Sequence, residues 1–335
     1  MSGKSSHRLK SVIGLLVSAA LLVYLALSVE WRRVGEEMAR AAWWPLIPVT
    51  ALWMVQLYAR AWRWEYLIEG GSRFTLAQRF NASMIGNFAS YILPLRAGEF
   101  IRPWALVRGS STSYSAAFVS VVIERFFDLA AVLFSFCALL AFVPTLPDIA
   151  YTGAQAFGVL AGALFLFIVA AIFMQAPLLR LIAWSASLVP HKGIAAKVES
   201  FFGDFVRGAA VLRQGKNFAM VVLLTVVCWV ATFVAFSMWL WVVNLEATIL
   251  LGVAVTVLVA LAVAAPSSPG FVGVYQAGCV AAFLLLGYSK ETAVAYALIS
   301  HVHQYIIVVG YGFYSLSKMQ ISFQQMKDAT SSRRE

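Results

Sequence analysis

Six charged residues lie inside otherwise apolar stretches of this chain, in two short groups. They are Arg96, Glu99, Arg102, Glu124, Arg125 and Asp128. Charges are costly inside a bilayer and usually mark functional positions. Because Glu124 and Asp128 are four residues apart, a helix would present both on one face, with Arg125 about 100° around the axis. Three positive and three negative charges could also neutralise one another in a buried network.

Two hypotheses explain these charges. In the first, the six residues only pair with each other and hold a broken segment against its neighbour. In the second, Arg96 and Arg102 also receive an anionic lipid headgroup, and the other four residues complete the binding site. Guanidinium suits phosphate because its planar fork donates two parallel hydrogen bonds and keeps its charge. A half-helix after Pro94 would add free N–H groups, which favour an anion. We favour the second hypothesis, and both can hold at once.

The sequence predicts no catalytic residue, no metal site and no cofactor. It contains no Walker phosphate loop, no His/Cys metal spacing and no set of serine, histidine and aspartate that could be argued as catalytic. We therefore expect a protein that is not an enzyme. One enzymatic alternative stays open, in which Glu124 and Asp128 hold Mg²⁺ against a polyprenyl diphosphate. Such sites need a second acidic motif, and none is visible in the other half.

Composition sets the class of protein around these residues. Of 335 residues, 61% are hydrophobic and 12% are charged, whereas a soluble domain has about 25% charged residues. Soluble enzymes, disordered chains and nucleic-acid partners are excluded as first interpretations. The net charge of +10 suits basic cytoplasmic segments of a membrane protein. The fold class is therefore all-α, a polytopic membrane bundle of about eight transmembrane helices.

The chain is predicted to form one integral membrane domain with two halves, placed in the inner (plasma) membrane with both termini cytoplasmic. Either broken segment could cross the bilayer or turn back. The predicted parts are a first half, 10–174, with a broken segment, 76–107; a basic amphipathic cytoplasmic connector, 177–216; a second half, 217–317, with a second break, 265–273; and a cytoplasmic tail, 318–335.

Proline and glycine mark the two breaks, and we expect them to gate the protein or to allow close packing. The residues are Pro94, Gly98, Pro266, Pro269, Gly270, Gly273 and the neighbouring Gln276. Paired interruptions in corresponding halves are typical of transport sites near the bilayer midplane. The two breaks are about 175 residues apart, but no letter-by-letter repeat is visible, so the sequence leaves an internal duplication open.

Three motifs together resemble a known family. They are Pro94-x-Arg96-x-Gly98-Glu99-x-x-Arg102, Glu124-Arg125-x-x-Asp128 and Pro269-Gly270-x-x-Gly273. In this order the chain is similar, over about residues 10–317, to the membrane region of the lysylphosphatidylglycerol synthase family, also labelled flippase-like. The resemblance implies a helix bundle with re-entrant pieces that moves a lipid headgroup between leaflets.

Two features depart from that family's pattern. Gln276 stands where many members carry a glutamate, which puts an acidic coupling role there in doubt. No soluble aminoacyl-transferase domain follows the last helix, so we expect no lipid lysylation by this chain.

The prediction is a flippase for an anionic phospholipid or a polyisoprenoid-phosphate lipid, with membrane lipids as its partners. The alternative is a membrane scaffold for a lipid-modifying enzyme or a glycosyltransferase, docked on the basic connector.

Overall fold

The computed structural model of the protein describes residues 2–93, 96–142, 148–188, 192–264 and 268–331. Within these ranges every regular element is a helix, so the predicted all-α class is confirmed. The α-helices are α1 (Ser2–Ser28), α2 (Trp31–Ala39), α3 (Leu46–Arg63), α4 (Leu76–Ile92), α5 (Gly98–Val107), α6 (Tyr114–Phe142), α7 (Asp148–Phe173), α8 (Gln175–Ser187), α9 (Lys192–Ala209), α10 (Gly215–Met238), α11 (Ile249–Ala264), α12 (Val274–Leu285), α13 (Lys290–Lys318) and α14 (Phe323–Ser331).

Three helical stretches are long and apolar enough to cross a membrane by themselves. They are α6, α10 with its 3₁₀ extension to Val243, and α13, each of 29 residues, or about 44 Å. Two bent pairs could each add one span, with bends of 88° between α1 and α2 and 118° between α7 and α8. The described residues thus hold three to five spans by length and composition, and the number eight stays a prediction.

The first broken segment is a helical hairpin, which we call hairpin 1 (residues 76–107). Thr75 starts α4 with a reciprocal cap, because its hydroxyl accepts the Gln78 N–H while the Gln78 side chain accepts the Thr75 N–H. The arms α4 and α5 run antiparallel and touch through Gly86 and Gly98. A Cβ at Gly98 would collide with the Gly86 carbonyl, so only glycine permits this approach. The predicted break is confirmed, although Pro94 lies outside the described residues.

The second broken segment is also a hairpin, which we call hairpin 2 (residues 249–285). α11 leads to a short 3₁₀ turn at Pro269–Phe271, and α12 then returns beside α11. Gly278 lies against the backbone of Val259, where a Cβ would come within 2.8 Å. This segment therefore turns back on itself. Pro266 lies outside the described residues.

The connector predicted at 177–216 contains most of α8 and all of α9, and residues 189–191 between them lie outside the described ranges. The apolar side of α9 packs on the rest of the bundle. Phe205 lies 4.8 Å from Phe126 of α6 between ring centroids, and Gly208 lies against Val119. Asp204 and Arg207 form an exposed pair on the other side of α9.

Candidate functional site

Glu124 is the centre of a set of charged side chains between α3, α5 and α6. Its side chain has no exposed surface. Its Oε1 accepts from Arg60 Nε at 2.7 Å and from Arg102 Nη1 at 2.9 Å, and it lies 3.2 Å from Arg63 Nη2. Arg102 Nη2 is 2.9 Å from Oε2. Three guanidinium groups therefore compensate one buried carboxylate, which could not remain ionised there alone.

Asp128 extends this set by one helical turn. Arg63 Nη1 lies 2.8 Å from its Oδ1, and Arg60 Nη2 lies 3.5 Å from its Oδ2. The same Arg63 nitrogen donates to Thr225 Oγ1 on α10 at 2.8 Å. The last turn of α3 is thus tied to α6 and to α10, so the charges join helices from both halves of the chain.

Arg60 and Arg63 are the site residues that the sequence analysis missed. Their aromatic neighbours suggested a membrane–water interface, yet the Arg63 side chain is 1% exposed and the Arg60 side chain 16%. A usable signal was their spacing of three in the last turn of an apolar helix, which places both on one face. With them, five arginines meet three carboxylates, and the cluster has two positive charges in excess. The charged cluster is Arg60, Arg63, Arg96, Glu99, Arg102, Glu124, Arg125 and Asp128.

Arg102, a predicted headgroup ligand, is occupied within the cluster. Its side chain is 4% exposed, and both terminal nitrogens face Glu124. Its guanidinium lies 4.0 Å above the ring of Trp64, a favourable cation–π contact. Trp64 is itself fixed, since its Nε1 donates to Ser120 Oγ at 2.8 Å. In this state Arg102 positions Glu124.

Glu99 and Arg125 form the open rim of the cluster. Arg125 Nη2 lies 2.7 Å from Glu99 Oε1, and Arg125 Nε donates to Oε2 at 3.2 Å. The Arg125 side chain is 41% exposed and the Glu99 side chain is 31% exposed. Arg125 also reaches Asp128 at 3.4 Å. Arg125 lies on the membrane-length helix α6, where a charged side chain with this exposure faces water or lipid headgroups rather than acyl chains.

Arg96 lies at the tip of hairpin 1 and is the least engaged cation of the cluster. Among the described residues, none hydrogen-bonds to it or forms an ion pair with it, although Glu99 and Arg125 are close enough to interact electrostatically. Its guanidinium lies 5.6 Å from the Phe271 ring centroid. Its φ of 51° is in the left-handed region, which strains a side chain with a Cβ. Strained residues of this kind cluster at functional sites.

The tip of hairpin 2 is held by a chain of neutral hydrogen bonds. The Gly273 N–H donates to Gln276 Oε1 at 2.8 Å, which fixes the orientation of that amide. Gln276 Nε2 then donates to His301 Nδ1 at 3.0 Å, and His301 Nε2 donates to the Gly270 carbonyl at 2.8 Å. The partners assign His301 as the neutral tautomer with its proton on Nε2. We call this chain the neutral clamp.

Uncharged side chains surround the clamp. Tyr275 stacks on His301 with centroids 4.4 Å apart. Its hydroxyl contacts Ser300 Oγ at 2.9 Å and accepts from Gln304 Nε2 at 2.7 Å. The clamp holds Gly270 and Gly273 at φ values of 70° and 90°, which glycine adopts readily.

The two hairpin tips meet each other. Tyr91 of α4 lies 5.6 Å from Phe271 and 5.2 Å from Tyr305 between ring centroids. A Cβ at Gly270 would lie 3.3 Å from the Tyr91 carbonyl. Together with the contact of Arg96 and Phe271, this brings the two predicted breaks to one place. Pro269 begins the short turn of the second tip.

Metal ligands are not grouped in the part of the chain that the structure describes. No three side chains of histidine, cysteine, aspartate or glutamate there could hold one ion. Glu124 and Asp128, the pair considered for Mg²⁺, are both occupied by arginines.

Comparison with known proteins gives one match. The family model described as "Lysylphosphatidylglycerol synthase TM region" matches residues 11–312. The matched range contains both hairpins and all the members of the charged cluster. No curated protein and no solved structure matches the chain.

Proposed function

Because the chain belongs to the lysylphosphatidylglycerol synthase transmembrane-region family, we propose that it binds the anionic headgroup of a lipid at the charged cluster and moves it between leaflets. The substrate is an anionic phospholipid or a polyisoprenoid-phosphate lipid. The observation that carries the proposal is the positive excess of the cluster, together with Arg96 at its rim, which has no ion-pair partner in the part of the chain that the structure describes.

The charge balance favours an anionic ligand. Buried charges are tolerated where they are paired, and the interior pairs of Glu124 and Asp128 meet this condition. The rim does not meet this condition. Arg96 has no partner among the described residues, and Glu99 is already paired with Arg125. A headgroup phosphate would supply the missing negative charge at this point.

Arg125 has the geometry to exchange Glu99 for a phosphate. Its Nε and Nη2 each face one oxygen of Glu99, in the paired arrangement that guanidinium also uses with phosphate. Glu99 therefore occupies the place of the ligand and leaves it when a phosphate arrives. A neutral or zwitterionic lipid gains less from this exchange, so the site should select for net negative charge.

The lipid tails would remain in the bilayer beside the rim. Phe100 and Leu129 directly follow Glu99 and Asp128 in the chain, and both are exposed, so apolar surface borders the charged opening. We place the protein in the inner (plasma) membrane with both ends cytoplasmic, because Lys318 ends the last long helix and Lys327 follows it. The whole chain would act as one domain.

The test is lipid exchange in liposomes that contain the purified protein. Fluorescent phosphatidylglycerol, labelled on an acyl chain, is added to both leaflets, and quenching from outside reports the arrival of inner-leaflet label. The native chain should accelerate exchange of this lipid more than that of labelled phosphatidylcholine. Arg96→Ala and Arg125→Ala should each slow exchange about tenfold or more, because one charge-assisted hydrogen bond contributes about 1.5–3 kcal/mol.

Arg207→Ala is the matched control. Arg207 is an exposed, paired arginine of α9, outside the cluster, so its loss should leave exchange unchanged. Native rates in both cluster variants would overturn the proposed site. Failure of the native chain to exchange phosphatidylglycerol or a polyprenyl phosphate would overturn transport and favour the scaffold alternative.

A further inference from the structure

We infer that the two halves are inverted structural repeats, and that hairpins 1 and 2 are gates that open the headgroup path to opposite faces of the membrane. The gating role rests on the proposed function. The inverted repeat does not, because it follows from the positions of the helices alone.

Each half contains a helix, a hairpin and a long helix, in the same order. The first half has α3, hairpin 1 and α6, and the second has α10, hairpin 2 and α13. The second arm of each hairpin begins at residue 98 or 274, and the long helices run over 114–142 and 290–318. Each of these limits in the second half lies 176 residues after its counterpart.

Local details repeat at the same offset. Ser113 Oγ accepts the Ala116 N–H at the start of α6, and Ser289 Oγ accepts the Thr292 N–H at the start of α13. Both are side-chain caps of a helix N-terminus. The helices α3 and α10 also each end in a short 3₁₀ turn that begins with a buried tryptophan, Trp64 and Trp239, which are 175 residues apart. Sequence identity between the halves is too low to show this repeat, but the element boundaries preserve it.

The outer ends of hairpin 2 lie at one end of the bundle, which we call face A. Face A holds the end of α1 and the end of α10. Lys290 Nζ, at the start of α13, reaches the Ser28 carbonyl at 3.4 Å, and Asn244 Nδ2 donates to the Arg40 carbonyl at 2.9 Å. Hairpin 2 begins five residues after Asn244 and ends five residues before Lys290. It therefore enters and leaves at face A.

The outer end of hairpin 1 lies at the opposite end of the bundle, face B. Arg108 directly follows α5, and its Nη1 donates to the Gln320 carbonyl at 3.4 Å, just beyond the end of α13. Since α13 starts at face A and is 29 residues long, face B is about 44 Å away. The two hairpins thus enter from opposite faces and meet at their tips in between.

The first arm of each hairpin packs on the long helix of the other half, as a two-fold axis between the halves would require. The first arm of hairpin 1, α4, packs on α13, where Ser315 Oγ donates to Asn81 Oδ1 at 3.0 Å. The first arm of hairpin 2, α11, packs in turn on α6, and α3 packs on α10. Inverted repeats with such broken segments are the usual architecture of alternating-access transporters, with the site near the midplane. Withdrawal of hairpin 1 would open the cluster to face B, and withdrawal of hairpin 2 would open it to face A.

The first experiment maps the faces by cysteine labelling. Cys137, Cys228 and Cys279 are replaced by alanine, and one position at a time is changed to cysteine. The positions are the exposed Ser72, Ser110 and Glu246, and the half-buried Glu291 in the first turn of α13. A membrane-impermeant maleimide is then added to intact cells and to inside-out vesicles. Ser72→Cys and Ser110→Cys should react from one side, and Glu246→Cys and Glu291→Cys from the other.

Labelling of Glu246→Cys and Glu291→Cys from different sides would overturn the inverted repeat, because hairpin 2 would then cross the membrane. All four positions reacting from one side would overturn it equally. Neither result depends on lipid exchange, so the repeat can fail or stand independently of the proposed function.

The second experiment tests the gates. Tyr91→Cys and Phe271→Cys are combined in the same cysteine-free chain and joined by a short reagent with two maleimide groups. Joining the tips should stop phosphatidylglycerol exchange, and each single variant treated alike should keep its own rate. Exchange that continues at full rate across joined tips would overturn the gating role while leaving the repeat and the proposed function intact.

Discussion

The tips of hairpins 1 and 2 occupy equivalent places in the two halves but carry opposite chemistry. On α6 the facing residues are Glu124, Arg125 and Asp128. The positions 176 residues later on α13 are Ser300, His301 and Gln304. At both places the long helix contacts the second arm of its hairpin, by the ion pair of Glu99 and Arg125 in the first half and by the stacking of Tyr275 and His301 in the second. One contact is ionic and the other is neutral.

Under the proposed function, this difference gives the two hairpins different roles. A buried ion cluster is held only by completing its charge pairs, so removal of one member leaves costly unpaired charges. Neutral hydrogen bonds contribute about 0.5–1.5 kcal/mol each, and a few of them can break and re-form during a transport cycle. The charged tip is thus suited to hold an anion, and the neutral tip opens at the smaller cost in free energy.

The largest expected effect comes from substituting equivalent positions of the two long helices. Glu124→Gln keeps the shape of the side chain but removes the charge shared by Arg60, Arg63 and Arg102. It should lower the free energy of unfolding by about 3–5 kcal/mol. Ser300→Ala should cost only about 1 kcal/mol, because the Tyr275 hydroxyl keeps its bond from Gln304. Thermal unfolding of both purified variants in one detergent measures the difference.

Equal losses in these two variants would remove the energetic distinction between the tips. If both stay as stable as the native chain, the cluster around Glu124 must be open to water, which would contradict its burial. Arg207→Ala again controls for the loss of a charge that the fold does not need.

A smaller effect is expected from breaking the neutral clamp. His301→Phe keeps a ring that can stack on Tyr275, but it frees the Gly270 carbonyl and the Gln276 amide, at a cost of about 2 kcal/mol. The loss should be confined to hairpin 2. Hydrogen exchange followed by mass spectrometry should show faster exchange over 268–276 and unchanged exchange over α5.

Faster exchange at both tips would mean that the hairpins open together, and the division of work proposed above would then be wrong. His303→Phe serves as the control, since His303 lies two residues further along α13 and bonds to Thr50 rather than to the tip.

The sequence predicted the broken segments and the residues of the cluster on α5 and α6, because both carry strong local signals. Proline and glycine interrupt apolar runs at Leu93–Gly98 and at 265–273, and ionisable residues stand out within such runs. The sequence could not show that Arg60 and Arg63 belong to the same cluster. Trp62 and Trp64 flank Arg63 in the chain, and only tertiary packing turns that face of α3 toward α6.

The inverted repeat was hidden for a related reason. What the halves share is helix length, hairpin position and capping, which different side chains can satisfy equally well. Ser113 and Ser289 perform the same task, since each hydroxyl accepts a backbone N–H at a helix N-terminus, whereas Arg125 and His301 differ because their tips have different chemistry. Arg96 and Phe271 are far apart in the chain, so no local sequence pattern predicts their contact.

The smallest expected change in stability is at Arg96. Comparing two substitutions there separates the effect of backbone strain from the effect of the lost cation. Arg96→Ala and Arg96→Gly both remove the guanidinium, so both should lose phosphatidylglycerol exchange to the same extent. They differ in the backbone, because alanine at the φ of 51° keeps a strain of about 1–2 kcal/mol that glycine relieves. Arg96→Gly should therefore be about 1 kcal/mol more stable than Arg96→Ala in thermal unfolding. A glycine variant that exchanges lipid as the native chain does would show that the cation at this tip is dispensable, whereas equal stability of the two variants would show that the tip is not held in the left-handed conformation.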